Sequence, residues 1–169
     1  MYDMVSVGKR QVGSTIKPIL YALAMREGMS PYQTMLNVPQ YFALPDGTYW
    51  SARNSSEARE EEIVTLKWGL AHSVNNISGW LLKQYSPKAM VGMAREMGIT
   101  SRIEAVPSVF LGAAEITVKE MVAAFSIFSN HGKYMTPTMV TRIEDKYGKQ
   151  LASFEVLPRE VLTERTAYE

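Results

Sequence analysis

Apolar residues recur at helical spacing from residue 16 onward. Ile16, Ile19, Leu20, Leu23 and Ala24 share one face of a helix predicted from Ser14 to Glu27, and Gly28 fits the left-handed position after its end. Pro18 supports a start near Ser14 or Thr15, because a proline is least disruptive in a helix's first turn. Gly13 allows a sharp bend just before. Residues 1–13 read as a strand end and loop. From Met29 to Asn54 the helical period is lost. Pro31, Pro39, Pro45, the turn pair Asp46-Gly47 and the aromatics Tyr32, Tyr41, Phe42, Tyr49 and Trp50 predict a loop-rich arm. Such an arm either packs on the surface or walls a groove. Glu57 to Glu62 reads as an acidic, solvated loop. Thr65 caps a short helix from Leu66 to His72, and another follows from Ile77 to Tyr85. Ser86-Pro87 opens a helix that runs to Met97, closed by Gly98. Thr100 to Glu115 is irregular. Thr117-Val118-Lys119-Glu120 is a capping box, and the helix behind it is predicted to bury Met121, Ala124, Phe125 and Phe128 and to end at Gly132. The period then drops to two. Met139 to Glu144 and Gln150 to Glu155 predict a β-hairpin around Asp145-Lys146-Tyr147-Gly148. Thr163 to Glu169 reads as a short helix behind its cap.

The pattern defines an α+β chain, predominantly helical, with a hairpin near its end. At 169 residues it is one domain or part of one. A net charge of +1 makes no broad electrostatic case for nucleic acid or an anionic membrane. The absence of cysteine excludes disulfides and thiolate metal sites. His72 and His131 are too far apart in sequence to suggest a metal cluster, and no cofactor is implied. No apolar run approaches the ~20 residues of a membrane span. The first ten residues lack the pattern of a signal peptide. Any targeting segment is therefore expected upstream.

The candidate chemistry sits at the first helix. Ser14 and Lys17 are three residues apart, so on a helix they share a face, with Cβ atoms roughly 5–6 Å apart. A serine hydroxyl becomes nucleophilic when a neighbouring base takes its proton. A lysine serves as that base once burial lowers its pKa. The plainer reading makes Ser14 a helix cap and Lys17 a solvated charge. Ser6-Val7-Gly8-Lys9 has the same spacing with no apolar helix behind it. Gly8 to Gly13 has the glycine spacing of a phosphate-binding loop, but Ser14 stands where that loop needs lysine. A second pair, Ser73 and Asn75, lies between two short helices. In isolation it reads as a helix-ending turn with Asn75 left-handed.

Ser-x-x-Lys followed by Ser-x-Asn on an interhelical loop is the layout of penicillin-recognising enzymes, whose third element is Lys-Thr-Gly. The chain resembles the class A penicillin-binding proteins over most of residues 5–155. The segments that carry the resemblance are Arg10 to Pro18, Trp50 to Asn54 (with Ala52 where the family commonly has proline), Val64 to Asn75, and Leu111 to Thr117 on to Gly132. The sequence contains no Lys-Thr-Gly.

The resemblance implies the helical subdomain of a transpeptidase fold plus the hairpin, with most of the central sheet missing. Residues 1–169 would form part of a transpeptidase domain, with a glycosyltransferase domain and a membrane anchor upstream, on the periplasmic side of the inner membrane. It implies acyl transfer on peptidoglycan stem peptides ending in D-Ala-D-Ala, through an acyl-serine that β-lactam antibiotics also form. Cell-wall assembly proteins would be further partners. Ser14 would be the nucleophile, Lys17 its base, Ser73 a proton relay and Asn75 a substrate and lysine ligand. Trp50 and Asn54 are weaker substrate-binding candidates. One oxyanion donor is expected on the Ser14 amide and the other on the absent strand, so these residues alone are expected to be a poor catalyst. Alternatives are a β-lactam-sensing or catalytically silent module of the same fold, and a helical interaction domain with Ser14 and Ser73 far apart.

Overall fold

The computed structural model describes residues 2–54 and 59–169. The elements in chain order are β1 (Lys9–Gln11), α1 (Lys17–Arg26), β2 (Thr34–Leu36), β3 (Tyr41–Ala43), β4 (Tyr49–Ser51), β5 (Ile63–Thr65), α2 (Leu66–Ala71), α3 (Asn75–Tyr85), α4 (Pro87–Glu96), β6 (Glu115–Thr117), α5 (Val118–Ser129), β7 (Lys133–Tyr134), β8 (Arg142–Glu144), β9 (Gln150–Ser153), β10 (Arg159–Glu160) and α6 (Glu164–Tyr168). Two 3₁₀ turns, Gly13–Ile16 and Pro107–Leu111, precede α1 and β6.

α1 is the axis of the core. Ile19, Leu20, Tyr21, Ala22, Leu23 and Ala24 are all buried, so this helix is enclosed on nearly every side rather than on one stripe. It packs against α3 through residues such as Ile77, Leu81 and Leu82, and against α4 through Met90, Met93 and Met97. Unbranched methionines suit the irregular gap between helices. Each such side chain contributes about 1.5–3 kcal/mol when fully buried. The result is a stiff rod whose N-terminal end holds the candidate chemistry.

Among the described residues the strands form five separate antiparallel pairs, not the single hairpin expected. β8 and β9 make that hairpin, a little shorter than predicted. The other pairs join segments too short for a period of two to register. β1 pairs with β6 in the register Lys9↔Thr117, Arg10↔Ile116 and Gln11↔Glu115, tying the residues before α1 to those before α5. β2 pairs with β5, and β3 with β4 around the Asp46-Gly47 turn, so the expected loop-rich arm contains three strands. Within the acidic stretch, residues 57 and 58 lie outside the described residues, and 59–62 form an exposed turn.

The helix caps follow the local sequence. Thr65, Ser86 and Thr163 accept from the N–H of Trp68, Ala89 and Thr166. Two details differ from expectation. α1 begins at Lys17, and Ser14 lies in the preceding 3₁₀ turn. α5 buries Ala123, Ala124 and Ile127, leaving Phe125 exposed and Met121 and Phe128 half-buried. Phe125 and Phe128 instead line an apolar cleft of about 400 Å³ with Pro18, Tyr21, Met25 and Leu70. The stripe is rotated because the small residues of α5 make its closest approach to the core.

Glu120 secures this arrangement. One carboxylate oxygen accepts from Thr100 N, Thr100 Oγ1 and Ser101 N at 2.7–2.8 Å, and the other from Ser101 Oγ, Thr117 Oγ1 and Thr117 N at 2.7–3.1 Å. Partial burial alone would raise its pKa. The hydrogen bonds from Ser101, Thr100 and Thr117 outweigh that and hold the carboxyl well below the ordinary range. Glu120→Ala is expected to cost about 2–4 kcal/mol, since it removes a cap and several bonds to a charge. A depressed carboxyl stabilises above its unfolded pKa and loses that effect as pH falls. Denaturant titrations should therefore show a constant gap between wild type and variant from pH 7 to 5, narrowing in stronger acid. Equal stability at pH 7 would contradict the role given to Glu120.

Candidate active site

The site forms where the N-terminal end of α1 meets the loop between α2 and α3. Gly13 adopts φ +55°, a left-handed value that a side chain disfavours, and starts the 3₁₀ turn that carries Ser14. Thr15 closes the turn, its hydroxyl donating to Val12 O at 2.6 Å. Ser14 is exposed. Among the described residues neither its hydroxyl nor its N–H has a hydrogen-bond partner.

Lys17 is 1% exposed. Its Nζ donates to Asn75 Oδ1 at 2.7 Å, to Ser73 O at 2.6 Å and to Ser73 Oγ at 3.0 Å. Burial brings its pKa down from 10.5 to about 8. The first two acceptors cannot donate, so they take two N–H groups in either protonation state. The third partner is a hydroxyl. It accepts from the ammonium, or donates to the lone pair of the neutral amine. Lys17 and Ser73 thus form a pair across which one proton can move.

Ser73 reaches the amine twice because its backbone is left-handed, φ +54°. That conformation costs a non-glycine residue about 1–2 kcal/mol. The left-handed residue of the loop is therefore Ser73, not Asn75, which is already the first residue of α3. Left-handed backbone favours asparagine when only local terms count. Here the two bonds to Lys17 offset the cost at serine.

The orientation of Asn75 is fixed on both sides. Its Nδ2 donates to Arg53 O at 2.6 Å, which leaves Oδ1 for Lys17. Asn54 accepts from the N–H of Asn75 at 3.0 Å and of Asn76 at 3.1 Å. It caps α3 from a distant part of the chain, where Val74, the residue before the helix, offers no side-chain bond. Asn76 in turn donates to Asn37 Oδ1 at 3.0 Å, and both are buried. Local capping rules could not reveal this, because donor and acceptor lie on separate segments. Asn54→Ala is expected to cost about 1–2 kcal/mol, as for loss of an ordinary N-cap. It should also loosen Asn75 against Lys17. Thermal unfolding of the variant checks the first effect, and an unchanged midpoint would rule the cap out.

The structure therefore brings Lys17, Ser73, Asn75 and Asn54 into one hydrogen-bonded cluster at the end of α1, with Ser14 exposed on the turn above. Trp50 lies outside that cluster. Its ring packs against Phe42 and Phe110, with centroids 5.9 and 6.2 Å away. Tyr32, Tyr41 and Tyr49 are exposed, so the aromatic arm divides between packing and open surface.

A 3₁₀ turn carrying an exposed serine and a buried lysine, faced by a serine and an asparagine from an interhelical loop, thus stand together at one end of α1. The chain belongs to the penicillin-binding protein transpeptidase domain family, whose model matches residues 5–166. Over 168 residues it is 32% identical to penicillin-binding protein 2D of Bacillus subtilis, covering 99% of this chain and 24% of that protein. It superposes on penicillin-binding protein 1A from Haemophilus influenzae with TM-score 0.82 at 26% identity, over 94% of this chain and 24% of that one. Penicillin-binding protein A from M. tuberculosis, solved as its imipenem acyl-enzyme complex, gives TM-score 0.81 at 19% identity over 97% of this chain and 42% of that one, a likeness of fold alone. The chain spans about a quarter of the length of the curated relative it matches. Among the described residues no helix is long and apolar enough to cross a membrane.

Proposed function

We propose that these residues are the nucleophile-bearing part of a D,D-transpeptidase that cross-links peptidoglycan on the periplasmic side of a membrane, anchored by segments upstream. Ser14 attacks the penultimate carbonyl of a stem peptide ending in D-Ala-D-Ala, and the peptide bond to the terminal D-alanine breaks. Lys17, as the neutral amine, takes the Ser14 proton. The Ser14 N–H faces the developing oxyanion. Ser73 Oγ gives its proton to the departing amine and is reprotonated from Lys17 Nζ. An amine of a neighbouring strand then attacks the acyl-serine, with the same groups moving the proton in reverse, and Ser14 is restored. A β-lactam substitutes for the stem peptide and stays attached to Ser14.

One observation carries this reading: an almost fully buried lysine amine held by Asn75 Oδ1, Ser73 O and Ser73 Oγ, one helical turn from an exposed serine hydroxyl. A surface lysine near a helix cap has no need of three fixed partners. Burial that brings its pKa to about 8 matches what a general base near neutral pH requires. The test is to treat the full-length protein with a labelled penicillin, digest it and locate the adduct by mass spectrometry. The expected result is one acyl group on the peptide that contains Ser14, together with D-alanine release from a D-Ala-D-Ala peptide. An adduct on another residue would refute the assignment. A permanent adduct with no D-alanine release would favour a β-lactam-sensing or silent module.

A further inference from the structure

Leu111 to Thr117 helps carry the family resemblance yet holds none of the groups assigned to the chemistry. It nevertheless touches the nucleophile turn. Gly112 closes the Pro107–Leu111 turn with φ +73°, its N–H donating to Val109 O at 3.1 Å. Gly13 N–H donates to Gly112 O at 3.0 Å, and Val12 N–H to Ala114 O at 3.3 Å, which continues the β1–β6 ladder up to the residue before Ser14. A Cβ at Gly112 would overlap the Gly13 carbonyl oxygen and lie 2.5 Å from the Gly13 carbonyl carbon and nitrogen. These are backbone atoms, with no flexible side chain to swing away. A Cβ at Gly13 would meet nothing within 4 Å. The two glycines thus serve different ends. Gly13 is needed for its dihedral, and Gly112 for its dihedral and its empty space.

We propose that Gly112 is a positioning residue for the nucleophile: its missing side chain lets the Pro107–Leu111 turn seat on the Gly13 backbone and fixes where the Ser14 hydroxyl and N–H point. The inference rests on the assignment of Ser14 as nucleophile. A side chain here would have to lift the Gly13 carbonyl, and the turn that carries Ser14 would move with it. Lys17 would keep its partners, because they come from the α2–α3 loop and the start of α3, and none from the Pro107–Leu111 turn. Misplacement by about 1 Å costs reaction rates on the order of 10²-fold.

The experiment compares full-length wild type, Gly112→Ala, Gly112→Asn and Gly28→Ala. Asparagine tolerates left-handed backbone better than alanine does, so Gly112→Asn keeps the collision while lowering the dihedral strain. Gly28 has φ +93°, and a Cβ there would meet nothing within 4 Å, so Gly28→Ala bears the strain with no collision. Rapid mixing with a labelled penicillin separates the non-covalent dissociation constant from the first-order acylation constant. Both Gly112 variants are expected to lose about 10–100-fold in the acylation constant, with the dissociation constant and the pH midpoint of acylation little changed. Gly28→Ala is expected to acylate like wild type. Wild-type acylation in either Gly112 variant, an equal loss in Gly28→Ala, or failure of both Gly112 variants to fold would overturn the proposal. If wild type itself is not acylated on Ser14, the functional reading fails first, so the two failures are distinguishable.

Discussion

Ser14→Ala is expected to end penicillin labelling while the protein stays folded. The hydroxyl is exposed and has no hydrogen-bond partner among the described residues, so its removal leaves no buried group unsatisfied. The Gly13–Ile16 turn is held by Thr15 and by the Gly13–Gly112 bond, neither of which involves the Ser14 side chain. Stability should therefore change by no more than about 0.5 kcal/mol, the usual range for exposed positions. The chemistry has no such tolerance. Without the oxygen no acyl-serine forms, and loss of a serine nucleophile has cost on the order of 10⁶-fold where it has been measured. Labelling on a gel beside a thermal melt reads both effects at once. Wild-type labelling of the variant would remove Ser14 from the mechanism. Lost labelling with a collapsed melting transition would show instead that Ser14 serves the fold.

Much of this site is legible in sequence because its parts are local. Ser14, Lys17 and Pro18 mark the turn and the start of α1 within a few residues, and the Thr117–Glu120 capping box forms with both reciprocal bonds present. The two stretches, distant in sequence, meet at the end of α1, where Lys17 Nζ lies 3.0 Å from Ser73 Oγ. What stays hidden is what tertiary contact decides. Asn54 looks like one polar residue at the end of an aromatic arm, and its capping of α3 exists only once β4 and α3 are side by side. Glu120 reads as a helix cap, and nothing local says that it also gathers Thr100 and Ser101. The short strands β1 and β6 lack the length for an alternating pattern, so their pairing, which places Gly112 under Gly13, has no one-dimensional signature. Periodicity alone puts Phe125 inside, but the closest approach of α5 to the core admits only Ala123, Ala124 and Ile127.

Lys17→Met and Lys17→Arg separate the two things a buried lysine could do. Methionine has a similar length and no donor. Arginine keeps the charge and the donors but does not release a proton near neutral pH. If Lys17 served only to hold the α2–α3 loop by its charge, arginine would retain much of the acylation rate. If it is the base, both variants should lose about 10²–10⁴-fold, the range that general bases contribute. The wild-type pH profile makes the same distinction. With a pKa brought down by burial to about 8, the amine is neutral in about a tenth of molecules at pH 7. The acylation constant should rise about tenfold per pH unit below that value and level off above it. Stability carries the complementary sign. The folded pKa lies below the ordinary 10.5, so between about 8 and 10.5 the unfolded chain binds more protons, and stability rises with pH over that window. Lys17→Met should lose that rise together with the rate. A pH-independent acylation constant between pH 6 and 9, or an active arginine variant, would leave the Ser73–Asn75 loop as a structural clamp and require another base for Ser14.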